Sequence, residues 1–283
     1  MGERVDEPAP GRPDRLRHAR GLARPLRRAA RALRRDRRRE AASRGLPLSA
    51  GLFERIETLF LDAGGVLVFP NWQRVSAALA AHGVHITPAA LAAAEPHAKR
   101  VLDVPEQVRQ SNDAQRGWTY FNLLLAQAGV ERSTATDRAL AELHAYHSEH
   151  NLWELVPDDV VPALERLRRR AARMVVVSNA NGQLHVMLER VGLTRFFDLI
   201  LDSQVEGVEK PDPRLFQIAL ERVGARAETT LHVGDFYWID VRGARAAGVQ
   251  PVLLDPVGLC EWADCPRVRS LGELASLLEA GRG

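Results

Sequence analysis

The sequence predicts an α/β protein: a doubly wound parallel sheet of Rossmann-like layout, interrupted by an inserted all-helical domain. Three observations carry this. Leu59-Phe60-Leu61 is an apolar run without polar alternation, as in a strand buried on both faces; it stops at Asp62, and Gly64 and Gly65 then let the backbone turn sharply. From residue 157 onward, short apolar runs alternate with segments of helical period, the rhythm of βαβ units. Between them, residues 70–156 carry apolar residues at helical spacing and no strand pattern of any length. The expected organisation is an Arg-rich tail at 1–50, an α/β body from 51–69 and 157–283, and the helical insertion at 70–156.

Within the insertion, Asn71 is placed to cap a helix over Trp72–His82. Thr87-Pro88, an N-cap followed by Pro at the first helical position, opens a helix towards Leu102 that Pro96 should kink or break. Asp113–Ala128 carries Phe121, Leu124 and Leu125 at helical spacing and ends at Gly129; Thr134–Ser148 carries Leu140, Leu143 and Tyr146. Trp72, Trp118, Tyr120, Phe121 and Trp153 read as core of the insertion and its contact with the body. Lys99 reads as a solvated helix-face lysine.

In the body, Asp159–Arg170 is a helix that tolerates Pro162 in its first turn. Arg173–Val177 is a strand ending at Ser178-Asn179, and Gln183–Val191 a helix stopped by Gly192. Phe197–Leu201 is a strand, and Pro211–Val223 a helix closed by Gly224. Thr229–Val233 is a strand ending at Gly234-Asp235, and Ile239–Ala247 a helix closed by Gly248. Val252–Leu254 is a short strand and Leu271–Glu279 the last helix. Arg166, Arg168, Arg169 and Arg170 read as the solvated end of a helix, where cations suit the dipole. Cys260 and Cys265 offer too few ligands for a metal site and read as free thiols in a loop.

Charge is unevenly spread. The chain has 283 residues and a net charge of +3, yet residues 1–45 hold fifteen arginines against six acidic residues, so the remainder is net acidic. The high isoelectric point therefore belongs to the tail, and no specific nucleic-acid partner is expected for the body. The tail reads as disordered or loosely helical; electrostatic contact with nucleic acid or an anionic membrane is the second reading. A targeting peptide is the third, against which Glu3, Asp6, Glu7 and Asp14 count. No apolar run approaches the length of a membrane span, residues 1–45 hold no apolar h-region, and two cysteines make no disulfide framework. These features lead to the expectation of a cytoplasmic protein.

Polar groups gather at the predicted strand ends: Asp62, Ser178-Asn179, the loop carrying Lys210, and Gly234-Asp235 with Asp240. In a parallel sheet these ends share one edge, so the groups can converge. Carboxylates meeting beside backbone carbonyls make a hard oxygen site that suits Mg²⁺, and they would repel one another unless a cation neutralised them. A lysine and a hydroxyl beside them would cradle a phosphoryl group, towards which a carboxylate can act as nucleophile.

The motifs resemble those of the haloacid dehalogenase superfamily of phosphotransferases and hydrolases. The resemblance rests on Asp62-Ala63-Gly64-Gly65-Val66-Leu67, Val175-Val176-Val177-Ser178-Asn179, Val208-Glu209-Lys210-Pro211-Asp212-Pro213 and His232-Val233-Gly234-Asp235 with Asp240, in that order. It implies that Asp62 attacks phosphorus and becomes an aspartyl phosphate. It implies that Ser178, Asn179 and Lys210 bind the phosphoryl group. It further implies that Asp62, the carbonyl of Gly64, Asp235 and Asp240 hold Mg²⁺ or orient its water, and that residues 70–156 form a helical cap. The implied substrate is a small phosphorylated metabolite; oligomeric state is open.

One position departs from the pattern. Phosphatases of the superfamily usually carry a second aspartate two residues after the nucleophile, which protonates the leaving oxygen. Here that position is Gly64. General acid–base help is worth about 10²–10⁴-fold. The chain is then expected to be a slow phosphatase, or one for good leaving groups such as acyl phosphates. Alternatively, it borrows an acid from among His82, His85, His97, His144, His147 and His150, or it is a catalytically weak or inactive binding protein. A dehalogenating member is disfavoured because Asp235 and Asp240 are both present. A phosphonate-cleaving member would need an imine-forming lysine, for which Lys99 is the only candidate in the insertion.

Overall fold

The computed structural model describes residues 55–281; the expectations for the tail at 1–50 fall outside them. A six-stranded parallel sheet organises the chain. Its strands are β1 (Thr58–Leu61), β4 (Arg173–Ser178), β5 (Leu199–Asp202), β6 (Thr230–Gly234), β7 (Gln250–Leu254) and β8 (Arg267–Val268), in the order β5-β4-β1-β6-β7-β8. β1 is central, pairing with β4 on one side and β6 on the other. The chain runs outward from β1 to β5, then crosses back to β6. The carboxyl ends beside β1 therefore border the crevice where the strand order reverses.

Alternation along the strands sends side chains into two layers. Leu59, Leu61, Val176 and Val233 pack under the helices Val160–Arg170, Leu184–Arg190 and Leu271–Ala280, through Leu164, Leu167, Leu188 and Leu274. Phe60, Val175 and Val177 point the other way, against Leu215 and Phe216 of helix Pro213–Val223 and Ala244 of helix Arg242–Ala246. Apolar cover on both faces is why these strands read as continuous hydrophobic runs.

The insertion consists of helices Trp72–Ala81, Pro88–Leu102, Pro105–Gln110, Asp113–Gln127 and Thr134–His150, around its own core of Val75, Leu79, Leu91, Leu124, Leu140 and Leu143. Asn71 accepts from the Arg74 N–H and Thr87 from the Ala90 N–H, as their cap positions predict. Trp72, Tyr120 and Phe121 lie in this core.

Several expectations need correction. The insertion is not purely helical. β2 (Phe69–Pro70) and β3 (Trp153–Leu155) pair antiparallel where the chain enters and leaves it; strands this short carry no period to read. Pro96 neither breaks nor ends helix Pro88–Leu102, because the loss of one N–H is offset by packing of Leu91, Ala94, Ala98 and Leu102 in the insertion core. The helix after Lys210 starts at Pro213, with the Asp212 side chain capping it. The segment predicted as a helix from Ile239 begins instead as a π-helical turn, Tyr237–Val241. The arginines after Leu167 are tethers: Arg166 pairs with Glu279, Arg168 with Asp198, and Arg170 donates to the Leu278 carbonyl. Cys260 and Cys265 are free, as expected, but buried. Among the described residues no helix is long and apolar enough to cross a membrane.

Candidate active site

β1 delivers Asp62 to the crevice. Its own N–H bonds to the Val233 carbonyl at 2.9 Å, extending the pairing with β6 by one residue, and its Oδ1 accepts from the Ala63 N–H at 2.8 Å. The chain then turns through Gly65, whose φ is +77°, and closes with Gly65 N–H to Val68 O at 2.8 Å. A methyl group on Gly65 would overlap both the Lys99 ammonium and the Asp235 carboxylate. Gly65→Ala is therefore expected to cost at least about 1–2 kcal/mol from the left-handed backbone alone, and to displace Lys99 from Asp235. Urea unfolding measures the first effect and metal titration the second.

β6 delivers Asp235, and the π turn that follows delivers Asp240. Asp62, Asp235 and Asp240 each offer an oxygen within 4.8 Å of the others. Lys210 enters between two of them, its Nζ 2.9 Å from Asp62 Oδ1 and 2.6 Å from Asp240 Oδ1. Burial works to lower the Lys210 pKa, but the Asp240 and Asp62 carboxylates outweigh it and hold the ammonium charged. Asp240 is the most committed carboxylate. Its Oδ1 also meets His232 Nε2 at 3.1 Å, and its Oδ2 accepts from the Phe236 N–H at 3.0 Å. Burial pushes it up, yet Lys210 and His232 keep it well below the usual carboxylate range. Asp235 is the least satisfied. Burial raises it to about 7 despite Lys99, and its Oδ1 is buried without a hydrogen-bond partner.

These residues fit a divalent cation. Ionised, Asp62, Asp235, Asp240 and Glu95 set four carboxylates against the two ammonium groups of Lys99 and Lys210, a deficit that one M²⁺ would fill. The donors are all oxygen, the set that suits Mg²⁺. Ser178 stands at the end of β4, its side chain bordering the same cavity of about 700 Å³ as Asp62, Lys210 and Asp235.

Residues 56–248 match the haloacid dehalogenase-like hydrolase family. The chain belongs to that family. This chain is 32% identical to the Homo sapiens protein called "Haloacid dehalogenase-like hydrolase domain-containing protein 3", over 71% of this chain and 82% of that protein. The Bos taurus protein of the same name is 33% identical, but the match spans 62% of its length and 54% of this chain. A "Ribulose-1,5-bisphosphate 5-phosphatase" from Halopiger xanaduensis is 38% identical over 47% of this chain and 57% of that protein. The HAD-hydrolase YfnB from Bacillus subtilis, solved bound to magnesium, has a similar fold, with a TM-score of 0.57 at 21% identity over 79% of this chain and 99% of that one.

Asn179 and Lys99 both make contacts that the sequence does not show. The Asn179 side chain borders the cavity and holds the Lys210 backbone: its Oδ1 accepts from the Lys210 N–H at 2.7 Å and its Nδ2 donates to the Lys210 carbonyl at 3.0 Å. It clamps the Lys210 backbone, a use that residue type and position cannot reveal. Lys99 is not a solvated lysine. It projects from helix Pro88–Leu102 onto Asp235 Oδ2 at 2.5 Å and also pairs with Glu95. Burial works against its charge, but Asp235 and Glu95 raise its pKa. A signal was present: Glu95 and Lys99 fall on the same side of the helix as Leu91, Ala98 and Leu102. Because the Lys99 ammonium lies against a metal-candidate carboxylate, Lys99→Met is expected to tighten Mg²⁺ binding about tenfold, roughly 1.4 kcal/mol. Calorimetric titration of the metal-free protein reads it directly.

Asp103, the residue that follows the last turn of the same helix, was also missed. Its carboxylate accepts the N–H groups of Tyr237 (2.7 Å) and Trp238 (2.9 Å), tying the insertion to the π turn that carries Asp240. Burial raises it to about 7 against those two bonds. An unfolded aspartate titrates near about 4. Between about pH 4 and 7 the folded chain thus holds a proton that the unfolded chain has lost, and stability falls as pH rises through that window. Asp103→Asn should make that fall shallower, as compared by urea unfolding at pH 5 and pH 8.

Proposed function

We propose that this hydrolase is a Mg²⁺-dependent phosphatase acting on a small phosphorylated metabolite. The observation that carries the reading is the convergence of Asp62, Asp235 and Asp240 on one point with the Lys210 ammonium between two of them. The relative that is called a phosphatase supports the same reaction class. Asp62, Asp235 and the Gly64 carbonyl would hold Mg²⁺, and Asp240, with both oxygens already engaged, would orient its water. Bound there, the ion would offset charge on the phosphoryl oxygens.

In this reading Asp62 attacks phosphorus and carries it as an aspartyl phosphate. Lys210 Nζ and Ser178 Oγ bind the phosphoryl oxygens, and Asn179 fixes Lys210 through its backbone. The helical insertion acts as a cap that excludes water and selects the substrate. Phosphate release from a panel of sugar, amino-acid and acyl phosphates, with Mg²⁺ and with a chelator, tests it. Mg²⁺-dependent turnover supports the enzyme. No turnover with Mg²⁺-dependent binding of a panel member would instead support a binding protein built on the same pocket.

One observation favours a second reading. Lys99 Nζ reaches the Asp235 carboxylate and lies against Gly65, the residue after the small Gly64; a lysine from the insertion and a small residue at 64 are the two features a phosphonate-cleaving member would need. Lys99 would then have to leave Asp235, lose its proton and form an imine with an aldehyde on the substrate. Borohydride reduction in the presence of a 2-oxoalkylphosphonate should leave a stable adduct on Lys99 if this reading holds, and none if it does not.

A further inference from the structure

The place opened by Gly64 is occupied. A Cβ built on Gly64 would point at the Trp153 indole, 3.4 Å from Nε1 and 3.5 Å from Cδ1. Trp153 is held there by both its backbone and its ring. Asn151, itself at φ +64°, accepts the Trp153 N–H on its Oδ1 at 3.0 Å, and Trp153 pairs with Pro70 in the two-stranded ribbon. The indole packs against Phe121 at 5.8 Å and edge-on against His147 at 5.3 Å. Its Nε1–H has no acceptor among the described residues and borders the cavity with Asp62, Ser178 and Lys210.

Lys99, Lys210 and His147, which border the same cavity, are engaged in pairs of their own. Lys99 and Lys210 each pair with two carboxylates. His147 spends Nδ1 on the Leu152 N–H, and burial lowers its pKa. An indole N–H donates a hydrogen bond but does not give up its proton near neutral pH.

Building on the phosphatase reading, we propose that Trp153 takes the leaving-group position next to Asp62 and thereby selects the substrate class. That class is phosphoryl compounds whose leaving oxygen is weakly basic, with acyl and aryl phosphates as its members. Asp62 Oδ attacks phosphorus, the bond from phosphorus to the bridging oxygen breaks, and its electron pair departs on a carboxylate or phenolate. No proton moves in that step, and Trp153 Nε1–H hydrogen-bonds the departing oxygen. Water then attacks the phosphorus of the aspartyl phosphate, the bond to Asp62 breaks with its electron pair returning to Asp62, and both water protons leave with dihydrogen phosphate. Phe121, Leu140 and Leu143 offer the organic part of such a substrate an apolar wall.

The test is kcat/KM of the full chain with Mg²⁺ across aryl phosphates whose phenols span about pH 4 to 10 in pKa, with alkyl phosphates as the far end. The expected result is a fall of at least about 10³-fold across the series, with alkyl phosphates near background. Trp153→Phe keeps the ring packing and removes the donor. It should lower kcat/KM about 2- to 13-fold, the value of one hydrogen bond, and most for the more basic phenols. A merely structural role would lower all members equally. Gly64→Asp places a carboxyl beside Nε1 and should raise alkyl phosphate turnover, flattening the series.

A flat series, with alkyl phosphates turned over as fast as aryl ones, overturns this inference and leaves the phosphatase intact. An unchanged slope in Trp153→Phe also overturns it. Absence of phosphate release from every member, together with no mass gain of the protein on treatment with acetyl phosphate, sinks the phosphatase reading itself.

Discussion

Asp62→Asn is expected to reduce phosphate release by about 10⁴–10⁶-fold, the scale seen when a nucleophile is removed, while leaving the fold in place. The substitution is nearly isosteric. The amide oxygen can still accept from the Ala63 N–H and face Lys210, so the hydrogen bonds that seat the side chain survive. Lys210 retains Asp240 at 2.6 Å, so no buried ammonium is left unpaired. What is lost is the nucleophilic oxygen and one negative charge of the candidate metal set. Stability should change by about 1 kcal/mol or less, as for exchange of one hydrogen-bond partner. Mg²⁺ affinity should weaken. Phosphate release and urea unfolding, measured on one preparation, separate chemistry from folding. A residual rate within tenfold of the parent chain would remove Asp62 from the attack.

Lys210→Met should do the reverse and strike stability first. The Lys210 ammonium is 1% exposed and lies between two carboxylates. Removing one partner of a buried pair strands the other charges, at a cost of about 3–5 kcal/mol. Asp240 suffers most, because burial alone would push its pKa up and Lys210 is the main force holding it down. Two further measurements fix the cause. Adding Asp240→Asn to Lys210→Met should recover part of the loss, since the stranded charge is gone. Mg²⁺ at about one hundred times its Kd should also restore about 2.7 kcal/mol if it binds only the folded chain. A variant as stable as the parent would mean that water reaches this pair and screens it.

Much of the body was legible along the chain because its information is local. Leu59–Leu61 and Val175–Val177 are apolar on consecutive residues, which only a strand covered on both faces requires. Asp62, Ser178 and Asp235 stand at the ends of such runs, and a parallel sheet puts those ends together by its connectivity alone. The caps Asn71 and Thr87 were legible for the same reason: each satisfies N–H groups three residues away. The ribbon of Phe69–Pro70 with Trp153–Leu155 was not, because its partners lie more than eighty residues apart and are too short to show a period.

By itself the sequence determined the α/β class, the helical insertion, the family and the set of carboxylates that meet at the sheet edge. The class and the insertion follow from periodicity, the carboxylates from their places at the ends of apolar runs, and the family from the resemblance of its motifs. Only the tertiary structure decided that Asn179 holds the Lys210 backbone, that Lys99 reaches Asp235, and that Trp153 fills the place beside Gly64. The last two depend on how the insertion sits over the body, and the first on which way a side chain leaves its loop. Long-range packing sets both, and no local pattern encodes it.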